Sequence, residues 1–142
     1  MSEAATRALI YAVVNGVSNV GQVHDYERWA NDWTTFLDRF KTTSSGSSVI
    51  RGWTIGCAGW TQDHSMRTYM YKVRGYFGMD DSAASEKTAI AVVDAVCQAL
   101  NTADDFDDNE LAELTTFELR MFGSVLCHCA EITFRAAMAE VF

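Results

Sequence analysis

The segment VLCHCAEITF, residues 125–134, sets Cys127, His128 and Cys129 side by side, and thiolate and imidazole are the ligands of a tetrahedral zinc site. Whether the three can close on one metal depends on the backbone that carries them. In an extended chain successive side chains leave on opposite sides, so Cys127 and Cys129 point one way and His128 the other. The trio then comes apart as a ligand set. The remaining donors, Cys57, Cys97, His24 and His64, supply no C-x-x-C or H-x-x-x-H pair. Small, partly buried thiols are the simpler reading, and no metal ligand is assigned.

Nucleophilic catalysis asks for a Ser or Cys beside a His that a carboxylate orients. His24 adjoins Asp25 and His64 adjoins Asp63, but neighbouring side chains diverge and rarely make such a relay. There is no G-x-S-x-G elbow, and Gly52, Gly56 and Gly59 lack the spacing of a phosphate-binding loop. The acidic run TADDFDDNE carries Asp104, Asp105, Asp107, Asp108 and Glu110 but no central glycine, so it misses the calcium-loop template and reads as a solvated loop. No catalytic or cofactor-binding residue is assigned.

Charge carries more information. The 142 residues hold 11 Lys and Arg against 19 Asp and Glu, a net of -8, which argues against a surface that tracks nucleic-acid phosphates. Positive charge gathers at Arg51, Arg67, Lys72 and Arg74, with Tyr76 among them. A solvated sheet face is the plain reading of this group. The sharper one pairs it with Asp104, Asp105, Asp107 and Asp108 of a neighbouring copy, as head-to-tail ring assembly would require.

The 4 cysteines are too sparse for a disulfide framework and are expected to stay thiols in a reducing compartment. The early apolar run ALIYAVV is too short to span a membrane and lacks the flanks of a secretory signal. A cytoplasmic, membrane-free protein is expected. With 0 prolines, turns fall to Gly, Asn, Asp and Ser.

The elements that must position these residues follow from periodicity. Residues 2–14 show helical spacing. In residues 25–40, DYERWANDWTTFLDRF, a stripe of Tyr26, Trp29, Ala30, Trp33, Phe36, Leu37 and Phe40 predicts a second helix with that stripe in the core. KTTSSGSS, residues 41–48, reads as a flexible loop. Alternation predicts strands over residues 49–57 and 66–78, the second with Tyr69, Tyr71, Val73 and Phe77 on one face. A helix follows with Ile90, Val93, Cys97 and Leu100 on its stripe. Residues 117–123 and the run from Leu126 to the C-terminus then form a closing hairpin, strand being preferred to helix for the alanine-rich tail. The predicted fold is a single α+β domain over residues 1–142: a helical part (2–40), a flexible loop (41–48), and an antiparallel sheet of about four strands with a helix across one face (49–142).

The segments YMYKVRGYFGMDDSAASEKTAIAVVDAVCQALN and FELRMFGSVLCHCAEITFRAAMAEVF, in this order, resemble the tail terminator or tail-completion (neck) proteins of long-tailed bacteriophages. VGQVHDYERWANDWTTFLDRF is similar to a segment of Mu-like prophage proteins. The resemblance is one of layout; it has no catalytic or ligand motif, and no functional residue is carried over. It implies a structural virion-assembly subunit that forms a ring, typically a hexamer, on the tail tube and meets the head connector. Such a subunit is made in the host bacterial cytoplasm and ends in the virion tail or neck. The alternative is a ferredoxin-like dimeric enzyme or small-molecule-binding domain whose apolar pocket Trp53, Tyr69, Tyr71 and His128 would line. A zinc-binding regulator ranks third.

Overall fold

The computed structural model describes residues 2–139. The chain runs α1 (Glu3–Asn15), β1 (Gln22–His24), α2 (Trp33–Asp38), β2 (Lys41–Ser44), β3 (Ser47–Asp63), β4 (Met66–Gly78), α3 (Ser85–Thr102), β5 (Asp108–Asn109), β6 (Glu113–Phe122) and β7 (Val125–Ala139). A 3-10 turn, Asp81–Ala83, leads into α3. The predicted end of the last strand, beyond Ala139, lies outside the described residues.

These strands make one mixed sheet of 7, which corrects the expected antiparallel sheet of about four. Its centre is antiparallel, β3 beside β4 beside β7. Along the outer edge of β3 lie β2, antiparallel, and β1, parallel, with Gln22 opposite Gly52. Along the outer edge of β7 lie β6 and the two-residue β5.

Three segments account for the difference. Residues 41–48 are not a loop: Ser45 and Gly46 both take positive φ (52° and 81°), the geometry of a tight hairpin turn, so Lys41–Ser44 pairs back on β3. The parallel edge forms because glycine lets the chains close up. Gly21 has φ +84° and sits against the Arg51 carbonyl, while a side chain at Gly52 would collide with Phe40. The predicted helix over residues 25–40 shrinks to six residues, Trp33–Asp38. Asp32 caps it, its Oδ1 accepting the Thr35 N–H at 2.8 Å. The preceding residues form an irregular strap, because Arg28 donates to His24 Nδ1 and Arg74 donates to Glu27. Tertiary bonds to the sheet outweigh helix propensity there.

The sheet buries both faces over part of its length. Against α1 and α3 it presents Trp53, Ile55, Tyr69, Tyr71 and Val73 together with Ile132 and Phe134. On α3 the buried stripe is Ala89, Val92, Val93, Val96 and Leu100, while Ile90 stands out in solvent. The other face is covered by α2 and the residues just after it, which lower Phe36, Leu37 and Phe40 onto Tyr76, Phe122, Cys127 and Cys129. Each large apolar side chain so buried contributes about 1.5–3 kcal/mol. The aromatic stripe is therefore divided: its C-terminal members are core, while Tyr26, Trp29 and Trp33 are exposed. Residues 60–66, the far end of the β3–β4 hairpin, are exposed as well.

Candidate functional site

Pleating sorts the would-be ligands as extended backbone requires. Val125–Ala139 is one strand; His128 is buried under the α3 side, while Cys127 and Cys129 are buried under α2. Among the described residues, no three His, Cys, Asp or Glu side chains are grouped to hold a metal ion. Burial lifts both thiols above their ordinary range, Cys127 to about 11 and Cys129 to about 12. They are protonated and shielded at neutral pH, the opposite of a reactive cysteine.

The histidines have structural partners. His24 Nδ1 accepts from Arg28 at 3.2 Å, which leaves Nε2 to donate to the Arg39 carbonyl at 2.8 Å and ties β1 to the end of α2. His64 has positive φ at the exposed β3–β4 turn, 3.5 Å from Asp63, where water screens the pair. His128 Nε2 is hydrogen-bonded to Ser85 Oγ at 2.9 Å, and the Phe117 ring stacks on its imidazole. This is a serine–histidine pair that the sequence reading did not find, since 43 residues separate the partners. Ser85 Oγ also accepts the Asp80 backbone N–H at 2.9 Å. The hydrogen bonds described for His128 include no carboxylate, and the ring is 2% exposed. The pair joins the first turn of α3 to β7.

A second cluster escaped sequence reading for the same reason. Tyr71 donates to Glu3 Oε2 at 2.8 Å, and Arg7 bonds Glu3 while also reaching the carbonyls of Asp25 and Ile55. Burial, with the Glu3 bond adding to it, holds the Tyr71 phenol protonated well above its usual range. The cluster anchors α1 to the sheet.

The predicted cationic surface is largely spoken for within the subunit. Lys72 Nζ donates to Thr133 at 2.9 Å and lies 4.0 Å from Glu131. Arg74 bridges Glu131 (3.1 Å) and Glu27 (2.6 Å). Tyr76 is packed under α2, and burial raises its phenol pKa. Arg51, near the start of β3, donates to Asn19 at 2.6 Å, and Arg67 reaches Gln62 and lies over the Trp60 ring. The structure brings Lys72 and Arg74 together; Arg51 and Arg67 lie apart from them.

The acidic residues stay at the surface. Phe106 anchors their segment by packing on Phe134, Asp107 accepts the Ala139 N–H, and Glu110 pairs with Arg135. Asp104, Asp105 and Asp108 are exposed beside them.

An open trough of about 670 Å³ lies at the end of the sheet near Lys41, Ile50, Met79 and Leu126. Another of about 370 Å³ lies by Trp60, Met70 and Arg135. Trp53, Tyr69, Tyr71 and His128, expected to line a pocket in the alternative reading, line neither of these and are buried in the protein core. Among the described residues, no helix is long and apolar enough to cross a membrane.

A comparison with protein-family models matches none of them, and a search of curated proteins finds no match.

Proposed function

We propose that this chain is a virion-assembly subunit of a long-tailed phage or Mu-like prophage, of the tail terminator or tail-completion type. It caps the tail tube as a ring, hexameric in the proteins it resembles, and presents a surface to the head connector. On this reading it is made in the bacterial cytoplasm, resides in the tail or neck, and turns over no substrate.

The observation that carries the reading is where the large apolar side chains lie. Trp29 is 75% exposed on the strap, and Tyr26, Trp33, Trp60, Leu119 and Met121 are exposed on the strap, the start of α2, the hairpin and the edge strand. Side chains of this kind supply most of the binding energy when a partner desolvates them. The groups with chemical potential, by contrast, are engaged in holding elements together. The exposed carboxylates around Asp104 to Asp108 add a surface of one sign, suited to steering a cationic partner. The segments that resemble the tail proteins fall on β4–α3 and, as far as Ala139, on β6–β7.

The test is to add the purified chain to tail tubes polymerising in vitro. Tubes of defined length with density at one end are expected. Tubes that lengthen unchanged, with the chain left in solution, overturn the reading.

A further inference from the structure

We propose that β6 is the contact through which two copies of this chain form a two-fold dimer, edge to edge, in a register centred on Leu119. The proposal goes beyond the assembly role and does not depend on it.

β6 pairs with β7 on one side and with no described strand on the other, over 10 residues. Soluble proteins blunt such an edge by shortness, charge, proline, a bulge or a covering segment. The irregularity in β6 lies at its start, between Leu114 and Thr116, and leaves the rest regular. On the face that bears α3, Leu119 and Met121 are 51% and 58% exposed. An exposed, regular edge of this length, apolar on one face at Leu119 and Met121 and charged on the other at Glu118 and Arg120, fits a partner strand.

Backbone parity shows which groups are offered. Phe122 and Val125 pair across the two-residue Gly123–Ser124 turn, so their N–H and C=O groups face each other. By alternation those of Arg120 and Glu118 also point to β7. The N–H and C=O groups of Phe117, Leu119 and Met121 therefore point outward.

The side chains select the partner and the register. In an antiparallel pair of identical strands centred on Leu119, Leu119 faces Leu119 of the second copy and Phe117 faces Met121. On the opposite face Glu118 comes opposite Arg120, twice by symmetry. Moving the centre by one residue sets Glu118 against Glu118 or Arg120 against Arg120, which is unfavourable. The strand is thus complementary to itself in charge and apolar character in one register, and the outward backbone groups of that register form closed hydrogen-bonded pairs. The arrangement uses up the β6 edge of each copy, so pairing through this edge stops at two, and a ring on the tail tube would join such pairs through other surfaces.

Sedimentation equilibrium on the full chain tests this. The expected mass is twice the 15.8 kDa of one chain. Leu119→Lys, on a half-exposed site where folding is checked by circular dichroism, shifts the mass to the single chain. Glu118→Arg weakens the dimer on the order of tenfold, Arg120→Glu does the same, and the two together restore it. A single-chain mass at the highest soluble concentration overturns the proposal. So does a dimer indifferent to Leu119→Lys, or a double charge exchange that fails to restore it.

Discussion

Ser85 Oγ lies 2.9 Å from His128 Nε2, so a side chain from the first turn of α3 is fastened near the start of a buried strand, β7. Residue 84 enters that helix in the left-handed region (φ 53°) with no side-chain cap, which makes Ser85 the polar fixture at this end. Ser85→Ala is expected to lower unfolding stability by about 1–2 kcal/mol, since it strips a partner from a buried imidazole. His128→Phe, which removes the polar group along with its need for a partner, is expected to cost less than His128→Ala. Urea denaturation of the three variants checks the order.

The buried thiols make stability depend on alkaline pH. Cys127 and Cys129, with values of about 11 and about 12, keep in the folded state protons that the unfolded chain releases near its ordinary thiol value. Their contribution is complete below that unfolded value and is lost as pH rises toward the folded ones. Tyr71, also shifted upward, acts in the same direction at higher pH. The double variant Cys127→Ala and Cys129→Ala is expected to show a flatter decline of Tm between neutral and alkaline buffer than the parent, whatever its starting Tm.

The Trp53 ring occupies the space above Gly75, where an added Cβ would come within 2.9 Å of three ring carbons. Trp53 is wholly buried, so it has no room to retreat. Gly75→Ala is expected to destabilise by about 1–3 kcal/mol through overpacking, against the usual gain from replacing a flexible residue in a strand. Trp53→Phe in the same chain should recover part of the loss, read as Tm.

The charge chain on the α2 side gives an unequal pair of substitutions. Glu131 serves both Lys72 and Arg74 and has a side chain 24% exposed, whereas Glu27 serves Arg74 from a side chain 61% exposed. Glu131→Gln is expected to cost about 1–2 kcal/mol and Glu27→Gln a few tenths, because water screens the outer pair. Added salt should narrow the difference.

Much of the framework is legible from residue types alone. Alternation marks β3, β4, β6 and β7, because each has at least one face meeting a core, and it separates Cys127 and Cys129 from His128. The Thr- and Ser-rich stretch before β3 misleads because its composition suits a linker, yet Ser45–Gly46 is also a tight-turn pair and the threonines beside it are β-branched. The strap before α2 misleads for a different reason. Its aromatic spacing is helical, but Arg28 and Glu27 take partners on β1 and β4 that sequence distance conceals. Charge alone likewise groups Lys72 and Arg74 as a surface, whereas folding brings Glu131 and Glu27 to them from far along the chain.

The 17 residues of β3 extend over roughly 56 Å, while the 18 residues of α3 reach only roughly 27 Å. The ribbon that ends at His64 thus overhangs its helical support like a cantilever. Its outermost amides are expected to exchange with solvent by local fraying, at rates indifferent to substitutions that change the global free energy of unfolding.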